Sequence, residues 1–334
     1  MKVIDSIKKN TILLLLITII VLYLVLKDNF ENIIESFKNI DIKYILLVII
    51  FYYISVFIKG FVNYLIVNNK NKISLKEAIK HNLIIQFFNG VTPFSTGGEP
   101  MEIYMLTEHD ISIPKATNYA VQSFLFYQIA LVICGAIAVA YNYIFHLFPK
   151  VQLLQKLVFL GFIINIIVIT VLLLISTSKK ASKIIKKIVI KICELFKIKV
   201  NENNLDKKFE DYYDGFKEIN NNKILYIGII LNIISLLCLY ITPLFVALAM
   251  GVTNLTGIEA ITSSAYVYLI GAFVPIPGAS GGIEYGFTQF YGNFITIEKI
   301  GAVLIVWRFI TYYIGIIIGA IIFNIDRRLH QKWE

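Results

Sequence analysis

A glycine pair followed by an acid occurs twice in this chain, as Gly97-Gly98-Glu99 and as Gly281-Gly282-Ile283-Glu284. The first copy sits in Pro93-Phe94-Ser95-Thr96-Gly97-Gly98-Glu99-Pro100, the second in Pro275-Ile276-Pro277-Gly278-Ala279-Ser280-Gly281-Gly282-Ile283-Glu284. Adjacent glycines permit positive φ and a close backbone approach. Ser95, Thr96 and Ser280 can cap a helix or donate to a ligand. Pro100 suits the first position of a helix, so a half-helix is expected to start there. The amides of such a start suit an anion such as a lipid phosphate; the competing reading is a structural turn that binds nothing.

The sharper chemistry lies in Glu99, Glu284 and Arg308, all embedded in apolar surroundings. An ionisable side chain inside a bilayer costs roughly 3 kcal/mol or more, so it normally pairs or works. The two acids can carry protons, hold a cationic headgroup or balance Arg308. A bidentate guanidinium at Arg308 suits a phosphate or the carboxylate of the opposite break equally well. Lys59 falls closer to a helix end, where its stem can snorkel. Gln86, Asn89, Gln122 and Gln128 can line a site, although hydrogen bonding between helices is their commoner use.

These residues must be positioned by membrane helices. Hydrophobic residues make up 57% of the 334-residue chain and charged residues 16%; a soluble domain carries about a quarter charged. Spanning about 30 Å of hydrocarbon takes roughly 20 apolar residues, and such runs are expected at 42–67, 116–141, 157–175, 224–250 and 300–323. A shorter uninterrupted run, 11–26, lacks a small-residue cleavage site downstream and reads as a sixth span. Polar, helix-breaking backbone at membrane depth is tolerated only where it is buried in protein or lines a cavity. The segments 82–105 and 258–297, each interrupted by a Gly-Gly motif, therefore read as hairpins of two half-helices; the alternative for the second is two full spans, 258–274 and 283–297, which leaves the topology unchanged. The expected fold is an all-α polytopic membrane bundle, one membrane domain over 1–334.

The distribution of the formal +9 charge sets the expected topology, because Lys and Arg favour cytoplasmic loops. Lys2, Lys8 and Lys9 place the N-terminus inside, Lys70, Lys72, Lys76 and Lys80 follow the second span inside, and the lysine-rich stretch 179–223 does the same. Arg327, Arg328 and Lys332 put the C-terminus inside too. Six spans satisfy all of this. The first hairpin then enters from the cytoplasm and the second from outside, so span–hairpin–span occurs twice as an inverted repeat, which places a substrate site where the broken helices meet. Within 179–223, Ile184, Ile185, Ile188, Val189 and Ile192 recur at helical spacing among Lys183, Lys186, Lys187 and Lys191. That pattern fits an amphipathic helix drawn to anionic lipid or packed on the bundle's own cytoplasmic face.

Other chemistries find little support. Cys134, Cys193 and Cys238 form no disulfide framework, the four histidines lack metal-ligand spacing, and no cofactor motif is present. The positive charge is explained by topology, so no nucleic-acid partner is expected.

The strings TPFSTGGEPMEIYML (92–106), PIPGASGGIEYGF (275–287) and WRFITYY (307–313) together resemble the membrane domain of lysylphosphatidylglycerol synthases, which also stands alone as flippase-like proteins. The resemblance spans roughly 13–328. It implies a multi-helix fold with re-entrant hairpins, translocation of lipids between leaflets of the cell membrane, a separate lipid-modifying enzyme as partner, and a part in resistance to cationic peptides. In the full-length synthases a cytosolic domain aminoacylates the lipid; this chain ends at Glu334, so that domain is expected to be absent and a lysyltransferase activity with it. Many relatives carry an arginine shortly after the Gly-Glu-Pro, where this chain has Met101 and Glu102, which moves the expected phosphate contact to Arg308.

The site is thus expected to comprise Ser95, Thr96, Gly97, Gly98, Glu99, Ser280, Gly281, Gly282, Glu284 and Arg308. Its cargo would be an anionic or aminoacylated phospholipid or a polyprenyl-phosphate lipid. Two alternatives stay open: a membrane transferase using Glu99 or Glu284 as base on a headgroup, and an ion-coupled transporter of small solutes.

Overall fold

A computed structural model describes residues 38, 40–149, 151–195, 205, 209–210, 213–217, 221–271, 274 and 276–330. The expected span 11–26 lies outside them. Among the described residues all regular secondary structure is helical, without strands. Five stretches among them are long and apolar enough to cross a membrane: Ile42–Val67, Ile113–Phe145, Leu154–Thr177, Asn222–Ala249 and Ile297–Asp326. Much of their surface faces outward and is apolar, as with Ile50, Leu160 and Ile230. A helix that is apolar all round and still exposed belongs in lipid rather than water. The protein is a multi-pass membrane protein.

The first half begins with α1 (Ile42–Val67), whose start is capped by the Asp41 carboxylate accepting from the Lys43 amide. After it, α2 (Leu75–Val91) opens with a reciprocal capping box between Ser74 and Glu77. A short 3₁₀ turn at Pro93–Ser95 leads into α3 (Gly98–Thr107), and α4 (Ile113–Phe145) follows. Two helices, α5 (Gln152–Thr177) and α6 (Lys179–Leu195), come next. The second half has α7 (Asn222–Tyr240) and α8 (Thr242–Ala249), then α9 (Gly257–Gly271), a 3₁₀ turn at Pro277–Ala279, and α10 (Gly282–Tyr291). It closes with α11 (Ile297–Arg308), a π-helical turn Phe309–Tyr313, and α12 (Ile314–His330).

Several boundaries differ from those expected. The first helix pair begins at Leu75 rather than 82, because the Ser74–Glu77 box starts the helix well before the apolar run does. The 224–250 span is interrupted at Thr242-Pro243: a proline inside a helix lacks the amide for the ladder and crowds the preceding turn. The last span is likewise not one regular helix but is loosened by the π turn after Arg308. The 116–141 and 157–175 spans are longer than their apolar runs, since Pro114 near the start of α4 and Gln152 in α5 extend them into polar sequence.

The packing of the two halves is reciprocal. The helices α1 and α7 lie against each other at the centre, joined by Ser55 and Ser235, whose hydroxyl oxygens are 2.9 Å apart, with Ser235 also donating to the Ser55 carbonyl at 3.0 Å. The last helix of the second half packs on α2, and the last of the first half, α4, packs on α9; α3 leans on α4 as α10 leans on α11. These contacts of one half thus have counterparts in the other, and the two 3₁₀ turns touch one another. Aromatic rings fill the second-half core, with Phe287 stacked between Tyr291 and Trp307. Replacing Ser235 with alanine is expected to remove about 0.5–1 kcal/mol, the ordinary worth of such a bond between membrane helices, read as a small fall in thermal midpoint in detergent.

Candidate functional site

The two Gly-Gly breaks adopt the same backbone path before they diverge. Thr92 has φ −114° and ψ 145°, and Ile276 has −112° and 144°. Phe94 (54°, 14°) then matches Gly278 (62°, 16°), and Ser95 matches Ala279 with φ of 53° and 52°. Three of these four left-handed residues carry a Cβ, a conformation that costs about 1–2 kcal/mol each and persists only where the surroundings over-determine it. In this register Gly97 pairs with Gly281 and each caps its helix start. The acids do not pair: Glu99 is the second residue of α3, whereas Glu284 is the third of α10, where the first half has Pro100.

That offset decides how each break is held. Glu284 Oε2 accepts from the Gly281 amide at 2.6 Å, an acid-capped start that Pro100 cannot imitate. In the first break the Gly97 amide donates to Thr92 Oγ1 at 2.8 Å and the Gly98 amide to Asn89 Oδ1 at 2.7 Å. The caps are therefore Thr92 and Asn89, reaching forward from the end of α2, and not Ser95 or Thr96. Thr96 donates back to the Pro93 carbonyl instead. The half-helix begins at Gly98, two residues before Pro100, because a proline fits anywhere in a first turn whose amides need no intrahelical partner. The consequence is chemical: the amides of Gly97, Gly98 and Gly281 are already taken, so the helix starts offer an anion much less than the sequence suggested.

Arg308 and Glu284 form a buried ion pair. Arg308 Nε and Nη2 each lie 2.7 Å from Glu284 Oε1, and Nη2 also donates to the Gly278 carbonyl at 3.2 Å. The guanidinium stacks 4.2 Å from the centre of the Tyr312 ring, whose hydroxyl donates to the Gly90 carbonyl at 2.9 Å. Both charged residues are about 5% exposed or less. The last helix thus ties the second break through Arg308 and the end of α2 through Tyr312. Arg308 stands just before the π turn Phe309–Tyr313 and Tyr312 within it.

Beside this knot lies a cavity of about 760 Å³, walled by α1, α2, α4 and both breaks. Of the site residues expected from sequence, Ser95, Thr96, Glu99 and Arg308 line it. Gly97, Gly98, Ser280, Gly281, Gly282 and Glu284 do not; they shape and brace its wall. Gln86, Asn89 and Gln128 line it as well, while Gln122 is buried outside it.

Three lining residues were undervalued in the sequence. Glu102, noted only as a departure from relatives, is buried and accepts from Asn63 Nδ2 at 3.1 Å; Asn63 Oδ1 in turn accepts from Ser123 at 2.6 Å. Lys59 points into the cavity rather than merely snorkelling, with Nζ 4.4 Å from the centre of the Tyr127 ring. The signal was present: Lys59 and Asn63 are four apart, which puts both on one face of α1. Nothing in the sequence pointed to Tyr127.

Comparisons with known proteins agree with one another. A family model described as the lysylphosphatidylglycerol synthase TM region matches residues 11–319. A "UPF0104 membrane protein" of Archaeoglobus fulgidus is 23% identical over 284 residues, which cover 76% of this chain and 77% of that one.

Proposed function

The chain belongs to the lysylphosphatidylglycerol synthase TM-region family, and we propose from that premise that it translocates a lipid across the cytoplasmic membrane, with the headgroup passing through the cavity between the two breaks. The observation that carries this reading is a largely apolar cavity into which charged and amide side chains project, set among apolar helices at the point where two broken helix pairs touch. Polar irregular backbone is costly in lipid and persists only where it is buried in protein or lines a cavity. On this reading each pair is a re-entrant hairpin, the two enter from opposite faces, and both termini are cytoplasmic. The cargo is an anionic or aminoacylated phospholipid or a polyprenyl-phosphate lipid, supplied where needed by a separate lipid-modifying enzyme.

Proteoliposomes carrying headgroup-labelled lipids test this. Wild-type protein is expected to move label between leaflets, and Glu99→Gln combined with Glu102→Gln to slow it at least tenfold while folding normally. Chemical modification of the headgroup without crossing would replace this reading with a transferase. Uptake of a small solute without lipid movement would replace it with an ion-coupled transporter.

The same reading gives α6 a role at the membrane surface. It packs on α5 yet leaves Ile184 and Ile188 half exposed, one turn apart, beside exposed Lys183, Lys187 and Lys191. An apolar ridge flanked by lysines suits an anionic leaflet. A tryptophan reporter at Ile188→Trp is expected to be quenched by brominated lipid more strongly in anionic than in zwitterionic nanodiscs. Reversing Lys183, Lys187 and Lys191 to glutamate should abolish that difference; equal quenching in both nanodiscs would place the helix on protein instead.

A further inference from the structure

Among the described residues, four charged side chains line the cavity: Lys59, Glu99, Glu102 and Arg308. Resting on the translocation reading, we propose that Lys59, not Arg308, takes the phosphate of the moving headgroup.

Arg308 spends Nε and Nη2 on Glu284 and Gly278, so its charge is neutralised and its fork is occupied. Taking it for a ligand would strand a buried carboxylate and release the second break. The amides of Gly97 and Gly98 are bonded to Thr92 and Asn89, so the helix start of the first break is not an open anion nest. Lys59 is different. Among the described residues no carboxylate lies within ion-pair distance of its ammonium. Its recorded partner is the Tyr127 ring face, which holds a cation in place without cancelling its charge.

Neighbouring groups do not supply the missing anion. Glu102 of α3 is held by Asn63, one turn from Lys59 on α1, at 3.1 Å, and neither it nor Glu99 comes within ion-pair distance of the ammonium. A compact ammonium with three free donors is a good point-charge partner for a phosphate oxyanion. The geometry therefore makes Lys59 the cavity's one uncommitted cation among the described residues.

Calorimetric titration of the full chain in neutral detergent tests this. The probe is dihexanoyl phosphatidylglycerol, a short-chain lipid phosphodiester, with inorganic phosphate as the second probe. Lys59→Met keeps the apolar stem and removes the charge. It is expected to weaken lipid binding at least tenfold, Lys59→Arg to stay within about threefold of wild type, and Lys59→Gln to repeat the loss should the methionine variant fold poorly. Tighter binding of the lipid than of inorganic phosphate identifies a headgroup site; the reverse identifies a site for free phosphate, and overturns the headgroup assignment. Undiminished binding in both uncharged variants, or no binding of either probe by wild type, overturns the proposal. Translocation by wild type with unchanged binding in Lys59→Met would sink Lys59 alone. Lys59-dependent binding without translocation would sink the translocation reading and leave the contact.

Discussion

Glu284→Leu is expected to lower the stability of the folded protein by about 3–5 kcal/mol, the usual consequence of leaving one member of a buried ion pair without its partner. The variant strands the Arg308 guanidinium, whose two strongest contacts both end on Glu284 Oε1, and it also removes the acceptor for the Gly281 amide. One carboxylate therefore supports both a charge and a helix start. The measurement is a detergent or thermal unfolding midpoint. The double variant Glu284→Leu with Arg308→Met should recover most of the loss, because replacing a whole buried pair by apolar residues of similar volume is often neutral or better. If the double variant is as unstable as the single, the pair is held by interactions other than those between its members. If it is stable and binds the lipid probe within about threefold of wild type, Arg308 is a brace and not the phosphate contact.

Gly278→Ala is expected to cost about 2–5 kcal/mol, through left-handed strain and overpacking together. Gly278 has φ +62°, and a Cβ placed there would overlap the Tyr312 hydroxyl and ring. That ring cannot retreat cheaply, since its hydroxyl is bonded to the Gly90 carbonyl and its face carries Arg308. The expected result is a weakened seam between the two breaks, with loss of translocation at temperatures where wild type still works. Gly281→Ala supplies the contrast. Its φ is +87°, yet nothing lies within 4 Å of the position a Cβ would take, so only backbone strain of about 1–3 kcal/mol applies. Equal effects for the two substitutions would mean that Tyr312 yields, and that the seam is softer than its geometry implies. Phe94, which holds the matching left-handed conformation in the first break with its side chain exposed, shows why the demand is local. The backbone path tolerates a side chain there because that side chain is exposed rather than packed.

The membrane class, the helical content and the location of both breaks were legible in the residues themselves. Apolar run length is a local property, and so is the Pro–hydroxyl–Gly-Gly pattern that ends one helix and starts another. The acids illustrate the limit. Glu99 and Glu284 looked equivalent in the string, but backbone geometry aligns the glycines and leaves the acids one position apart. Which of them lines the cavity and which braces it depends on a neighbour more than twenty residues away, Arg308. The expectation that Ser95 and Thr96 would cap failed for a similar reason, since the end of α2 brings Asn89 and Thr92 closer to the free amides than the turn's own hydroxyls can come.

The sequence by itself determined that this chain crosses a membrane, that it breaks at two glycine pairs, and that ionisable groups sit near them, because periodicity, run length and helix-breaking residues act over a few positions. Only the tertiary structure decided that the breaks touch, that Arg308 is committed to Glu284, and that Lys59 is left facing the cavity. Those outcomes turn on which side chains a crowded interior brings within bonding distance of one another, and residues far apart in the chain do not encode that by their local spacing.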